Sequence, residues 1–424
     1  MKMTPRLTPE SNILGNRNYR LFLIAAIISS PGYYIYLISV EWMMLTLFES
    51  RSYLGLMVFS SALARLLFMI YGGIIADRLN RKLLVLLSQW GEMFLIGSIL
   101  LCYLTGLLSP FFLIVVSFLF GILNAFSGPA YSSMITSLID SDDLQRANAL
   151  LRMANQYSLI VGPLLGSALI ISLGFTGVFL SSLAVLLVSS LLLNLVRLPL
   201  QGVDERSTTP WEDFRSSLEY IRMDRILPIL MALGFIMNFF IAGPMGVLIP
   251  IMARDILDGN AFVLALLELS LGSGIILGSL AVSVKKTFIR PGLVILSSLI
   301  LVVLAYGALG FVYQLVFAMC NIFIIGFSIQ LANIPLFTYI QTNTEPRMLG
   351  RVMGIFLSAV TGLTPLSLAL ISYLLHQGID IQLVIRIFGV FLLIITLGAF
   401  LISPLRKLSY KSHLPETEGH DMTM

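Results

Sequence analysis

Apolar stretches long enough to cross a membrane recur along almost the whole of this 424-residue sequence. A helix needs about 20 apolar residues to cross roughly 30 Å of hydrocarbon, and we count twelve such stretches between residues 21 and 404. Only 11% of the residues are charged, whereas soluble domains carry about 25%. The sequence therefore predicts an all-α polytopic membrane protein with twelve transmembrane helices.

One long polar segment, residues 197–225, separates six apolar stretches from the other six. We predict a cytoplasmic N-terminus (1–20), an N-terminal six-helix bundle (21–196), a central loop (197–225), a C-terminal six-helix bundle (226–404) and a cytoplasmic tail (405–424). Pro210 opens a stretch with apolar residues at helical spacing, which predicts an amphipathic helix within the loop. This helix either lies along the inner membrane face or is a solvated linker.

Lysine and arginine are distributed unevenly along the chain. Nearly all lie in segments on the side of the termini, whereas the loops on the other side hold only Arg51 and Arg254. This asymmetry places both termini in the cytoplasm. The first apolar stretch lacks a cleavage pattern and is interpreted as a retained span. We expect a multi-pass protein of the cell (plasma) membrane, and the net charge of +4 does not indicate nucleic-acid binding.

The two halves carry matching landmarks. Gly121 and Gly326 stand 205 residues apart, and Gly72 and Gly278 stand 206 apart. Each member of the first pair is followed by a proline and a polar loop. The spacing predicts an internal repeat, and hence two pseudo-symmetric six-helix bundles of the kind found in parallel-repeat transporters.

The densest run of glycine and charge in the first hundred residues is GGIIADRLNRK, residues 72–82. It resembles the signature loop of the major facilitator superfamily, although Asn80 replaces a glycine. The resemblance implies the major facilitator fold, and a conformational latch that contacts the eleventh helix near residues 350–351 in one conformation and releases it in the other. The alternative is a loop that is basic only because it faces the cytoplasm. The matching latch residues are Gly73, Asp77, Arg78, Arg81 and Lys82.

The fifth stretch carries Gly162, Pro163 and Gly166. This pattern resembles the antiporter motif of the superfamily, which is associated with exporters. A Gly-Pro pair weakens the helical hydrogen-bond ladder, and small residues four apart permit close helix packing; an ordinary kinked helix is the alternative. Residues 126–150 and 349–354 narrow the resemblance to the macrolide-efflux and enterobactin-exporter branch of drug–proton antiporters.

Ionisable residues inside membrane spans are costly and mark candidate functional sites. Glu41 could carry a proton, or it could neutralise Arg65 in a static pair. The branch often has an acid after the glycine of the first span, but here Tyr33 follows Gly32, so its proton relay is not transferred. The candidates for proton or substrate binding are Glu41, Arg65, Glu92 and Glu268, and the expected cavity-lining residues are Tyr33, Tyr36, Asn238, Asn321 and Gln330.

The sequence contains no catalytic motif, no metal-ligand pattern and no phosphate-binding loop, so we expect neither an enzyme nor a cofactor or metal. The leading interpretation is a secondary exporter of a small amphipathic molecule, a drug, macrolide or siderophore, that works by alternating access. Multidrug resistance and siderophore export are the corresponding roles. Its expected partners are this substrate, protons as coupling ion and the lipid bilayer, with the protein a monomer. The alternatives are a lipid or nutrient transporter on the same fold, or a non-transporting membrane receptor or enzyme.

Overall fold

The computed structural model describes residues 13–78, 81–139, 143–197, 210–284, 288 and 290–408; for some of these, including 70–78 and 350–351, it describes the backbone alone. Within these ranges the chain is helical and contains no strand. Eleven of the described helices are long and apolar enough to cross a membrane. The fifth spans about twice the necessary length, and Gly174 (φ 65°, ψ −171°) breaks it into two crossings. The described chain therefore contains the twelve predicted crossings.

The first half comprises five helices. The side-chain oxygen of Asn16 accepts hydrogen bonds from the backbone N–H groups of Asn18 and Tyr19, which caps the first helix. Only two residues separate the second helix from the third. The helices are α1 (Arg17–Leu47), α2 (Arg51–Arg78), α3 (Arg81–Leu104), α4 (Pro110–Leu138) and α5 (Leu144–Leu195).

The second half is less regular. Its helices are α6 (Pro210–Met223), α7 (Leu227–Met237), α8 (Gly243–Ile251), α9 (Ala261–Ser283), α10 (Pro291–Leu309), α11 (Leu315–Asn343), α12 (Pro346–Thr361), α13 (Thr364–His376), α14 (Ile381–Leu401) and α15 (Ser403–Arg406). The seventh crossing consists of α7, a π-helix (Asn238–Ala242), α8 and a second π-helix (Met252–Ile256). The eleventh crossing is divided into α12 and α13, where Pro365 lacks the N–H that would continue the ladder.

Equivalent helix pairs pack closely in the two halves. In the first half α2 packs against α4, and in the second half α9 packs against α11. A Cβ atom on Gly121 would overlap the backbone oxygen of Ser61, and one on Gly326 would overlap the backbone oxygen of Leu271. These glycines let two helix backbones touch in each half, which accords with the repeat predicted from their spacing.

The two halves meet through α2 with α13 and through α5 with α9. In the first pair, the Ser372 hydroxyl donates a hydrogen bond to the backbone oxygen of Ser52 (3.0 Å). In the second, a Cβ on Gly272 would lie 3.0 Å from the Ile160 side chain. Ser52 stands at the start of α2, on the side of the membrane opposite the termini. These contacts therefore extend from the middle of the membrane to that side.

The connecting helix α6 begins at Pro210, as predicted, and contacts α7 and α12. Ile221 is buried and packs in the same cluster as Val352. The Tyr220 hydroxyl accepts a hydrogen bond from the backbone N–H of Glu345 (3.3 Å). The end of α6 is therefore attached to the second half.

Candidate functional site

Three adjoining cavities lie in the interior of the molecule. The charged cavity, about 220 Å³, lies between the halves and is lined by Glu41 and Arg65. The inner polar cavity, about 500 Å³, lies within the first half and contains Glu92. The apolar cavity, about 260 Å³, lies within the second half. Tyr33 belongs to the walls of the first two cavities, and Ala242 to the walls of the charged and apolar ones.

The charged cavity holds one acid and one base that do not pair. Glu41 on α1 is 7% exposed, whereas Arg65 on α2 is exposed and faces the cavity. Among the described residues, neither side chain forms an ion pair or a hydrogen bond. A static Glu41–Arg65 pair is therefore absent from this conformation.

Aromatic side chains form much of the first-half wall of the charged cavity. Tyr36 is buried and stacks on Phe120, with ring centroids 4.1 Å apart and planes at 10°. Tyr33 meets Tyr34 edge to face at 5.4 Å and lines the charged cavity together with Arg65. The structure thus places Tyr33 and Tyr36, two of the expected lining residues, in the wall of the charged cavity.

The remaining acidic candidates occupy two different places. Glu268 lies on α9, which packs against α5 of the first half. Glu92 lies in the inner polar cavity beside Gln89. Neither Glu268 nor Glu92 forms an ion pair within the described part of the chain. The structure therefore places Glu92 in the inner polar cavity and does not place Glu268 in the walls of the three cavities.

The apolar cavity is formed by α7, α10, α11 and α12. Asn238 is one of its few polar groups, and its side-chain oxygen accepts a hydrogen bond from the Thr364 hydroxyl (2.7 Å). Asn321 instead donates to a backbone oxygen of its own helix (2.8 Å), and Gln330 packs near Gly278. The structure does not place Asn321 or Gln330 in the walls of these three cavities.

Only two residues of the predicted latch loop lie outside helices, since α2 ends at Arg78 and α3 begins at Arg81. For Gly73, Asp77 and Arg78 the structure describes the backbone alone. The structure therefore leaves the proposed contact of Asp77 untested.

The two basic residues after the turn contact other helices of the first half. The Arg81 guanidinium donates to the Ser137 hydroxyl (2.6 Å) at the end of α4. The Lys82 ammonium donates to the backbone oxygens of Asn194 and Val196 (2.6 and 2.8 Å) at the end of α5. Because α5 has an unsatisfied carbonyl end there, the lysine acts as its cap.

The glycines of the antiporter-like motif form the contact between α5 and α1. A Cβ on Gly162 would overlap the Cβ of Tyr34, and one on Gly166 would lie 2.6 Å from the Ile38 side chain. The helix continues through Pro163. The motif therefore sets α5 directly against the part of α1 that carries the cavity tyrosines.

Two ion pairs that the sequence analysis did not predict join the halves on the side opposite the termini. Arg51 at the start of α2 contacts the Asp255 carboxylate at 2.5 Å, and Arg254 contacts Glu49 at 3.5 Å. Glu49 and Arg51 belong to the first half, and Arg254 and Asp255 lie in the second π-helix. The sequence signal that could have predicted these ion pairs is an acidic residue close to a basic one at two places in the chain. These are Glu49 with Arg51, and Arg254 with Asp255.

The sequence model of the family described as the Major Facilitator Superfamily matches residues 22–362 of this chain. The chain is 23% identical to the "Uncharacterized MFS-type transporter YkuC" of Bacillus subtilis, over 93% of this chain and 94% of that protein. It is 23% identical to macrolide efflux protein A of Streptococcus pyogenes, over 80% and 84% of the two chains. It is 26% identical to the enterobactin exporter EntS of Salmonella typhimurium, over 81% and 82%.

Solved transporter structures share the fold. A bacterial homologue of the human lysosomal transporter Spinster aligns with a TM-score of 0.69 at 16% identity, over 95% of this chain and 100% of that one. The nucleoside transporter NupG aligns with a TM-score of 0.68 at 13% identity, over 92% and 100%. These structures confirm the predicted fold, and the family model and the efflux relatives confirm the resemblance to the macrolide-efflux and enterobactin-exporter branch. The chain belongs to the major facilitator superfamily.

Proposed function

We propose that this transporter is a secondary exporter of a small amphipathic molecule and that it works by alternating access in exchange for protons. The observation that carries the proposal is a charged cavity between the halves, with the ion pairs of Arg51 and Arg254 closing one side. Alternating access requires a central site that opens to one side at a time. The efflux relatives support export, with a macrolide, another drug or a siderophore as cargo.

Proton coupling is assigned to the carboxyl groups that face the cavities. Glu41 lines the charged cavity between the halves and forms no ion pair within the described chain. Protonation removes its charge and, with it, the cost of an unpaired carboxylate at this depth. The protonation state of Glu41 therefore couples to the charge of what the cavity binds. Glu92 is the alternative proton carrier because it opens into the adjoining cavity.

The charge distribution supports an orientation with both termini in the cytoplasm of a plasma-membrane protein. In this orientation the ion pairs of Arg51 and Arg254 close the outer side. The bundles 21–196 and 226–404 are the rocking units, and residues 197–225 connect them. Each protomer contains a complete set of cavities, which accords with a monomeric transporter.

Transport by purified protein in inside-out proteoliposomes tests this function. Vesicles with an acidic lumen, offered erythromycin, ethidium, a catecholate siderophore or a zwitterionic drug, should accumulate at least one of them as protons leave. Nigericin, which collapses the proton gradient, should abolish the accumulation. Glu41→Gln should leave facilitated exchange but remove the gradient dependence. Accumulation that is unchanged when the gradient is collapsed would contradict proton antiport.

A further inference from the structure

Arg65 is a permanent positive charge that faces the charged cavity without a partner. A guanidinium group remains protonated in proteins, and an unpaired charge at membrane depth is costly. None of the described acidic side chains pairs with it. The cavity therefore presents a cationic group to which an anionic group can bind.

Glu41 faces the same cavity and is 7% exposed, also without an ion pair or hydrogen bond within the described chain. Unlike Arg65, a carboxyl group can avoid an unpaired charge by taking up a proton. When it loses that proton, it becomes a binding position for a cationic group. An acid and a base that line one cavity without pairing are together complementary to a molecule that carries both charges.

The apolar cavity shows where the rest of such a molecule fits. It shares the wall residue Ala242 with the charged cavity and is lined mainly by leucine, isoleucine, valine and phenylalanine side chains. An apolar body that enters it places its charged end between Glu41 and Arg65. The two cavities together span both halves.

Building on the proposed exporter function, we propose that the cargo is a zwitterionic amphipath. Its anionic group binds Arg65, its ammonium group replaces the proton on Glu41, and its apolar body occupies the apolar cavity. Before binding, the pair of side chains carries one positive charge. Afterwards the two side chains and the zwitterion are neutral in sum, and one proton has been released. Each cargo molecule therefore exchanges with one proton.

Three fluorescent probes with the same aromatic body test the charge requirement. Dansyl-lysine, modified at its side-chain nitrogen, carries both a carboxylate and an ammonium group; dansylcadaverine lacks the carboxylate; and dansylaminohexanoic acid lacks the ammonium. Binding to the full-length protein in lipid nanodiscs is measured by dansyl fluorescence without any gradient. One charge-assisted contact corresponds to about a tenfold change in affinity. We therefore expect dansyl-lysine to bind about tenfold more tightly than either of the other probes.

Substitutions at two positions, Arg65 and Glu41, test which side chain binds which charged group of the probe. Arg65→Ala should reduce dansyl-lysine binding to the level of dansylcadaverine while leaving dansylcadaverine unchanged, and Arg65→Lys should retain most of the affinity. Glu41→Gln should reduce dansyl-lysine binding to the level of dansylaminohexanoic acid and abolish proton release, measured with a pH dye in weak buffer. Arg215→Ala and Glu219→Gln are the matched controls, since both side chains are exposed on α6 and pair with each other.

Equal binding of the three probes, binding of none of them, or a uniform loss in Arg65→Ala would overturn the zwitterion proposal. These outcomes are separable from the transport test because no gradient is applied. Selective binding without gradient-driven transport would refute the exporter function alone. Gradient-driven transport without charge selectivity would refute the zwitterion alone.

Discussion

Gly162 on α5 occupies a position where no side chain fits. A Cβ there would overlap the Cβ of Tyr34 on α1 and would lie 3.2 Å from the backbone oxygen of Pro31. Tyr34 in turn contacts Tyr33, which lines the charged cavity. A side chain at position 162 therefore displaces a cavity wall as well as a helix contact.

The smallest such change, Gly162→Ala, should destabilise the protein. Overpacking a close contact costs about 1–3 kcal/mol, so the apparent midpoint of thermal unfolding in detergent should fall. Gly97→Ala is the matched control because a Cβ on Gly97 meets nothing within 4 Å. That control should keep or raise the midpoint, since alanine favours a helix over glycine by roughly 0.5–1 kcal/mol. Equal midpoints for the two variants would show that the α1–α5 contact tolerates a methyl group.

At the scale of single elements, α2 combines three parts of the proposed mechanism. It begins with Arg51 in an ion pair between the halves, presents Arg65 to the charged cavity, and ends at the predicted latch residues Asp77 and Arg78. At 1.5 Å per residue, the distance along the helix from Arg51 to Asp77 is about 39 Å, which is more than the hydrocarbon thickness. A tilt of α2 therefore affects both membrane faces and the cavity at once.

The latch is tested by Asp77→Asn, which keeps the size of the side chain and removes its charge. We expect the variant to lose gradient-driven transport but to bind dansyl-lysine with unchanged affinity, because the site is intact and only the conformational cycle is blocked. Glu219→Gln on the exposed face of α6 is the control for loss of one acid. Normal transport by Asp77→Asn would refute the latch.

At the scale of the whole molecule, local patterns account for what could be predicted. Apolar length predicted the twelve crossings, and the glycine and charge of residues 72–82 predicted the boundary between the second and third crossings. The π-helix that begins at Asn238 was not predictable, because its apolar pattern is continuous. Within it, the backbone oxygen of Phe239 accepts a hydrogen bond from the Ser367 hydroxyl on α13, a contact between distant parts of the chain that no local pattern contains.

The candidate site was predictable only in part. Glu41, Arg65 and Tyr33 were found because polar groups inside apolar stretches are conspicuous, and the structure places them around one cavity. The partner of Arg51 is 204 residues away, and that pairing depends on how the halves dock. Sequence spacing carries no information on this docking.

Distances between spin labels on the two halves test alternating access most directly. After Cys102 and Cys320 are replaced by serine, one pair is placed at Tyr53→Cys and Tyr373→Cys. These positions are exposed on α2 and α13, on the side that Arg51 closes. A second pair is placed on the side of the termini, at the exposed positions Met153→Cys and Val284→Cys. Pulsed electron paramagnetic resonance measures both distances.

The variant Arg51→Glu removes one ion pair and introduces repulsion with Asp255. Exposed ion pairs contribute roughly 0.2–1 kcal/mol, so populations should shift by up to about fivefold. We expect the distance between positions 53 and 373 to lengthen while the distance between 153 and 284 shortens. The charge swap Arg51→Asp with Asp255→Arg should restore the original distributions. Distances that stay fixed, or that lengthen on both sides together, would contradict alternating access.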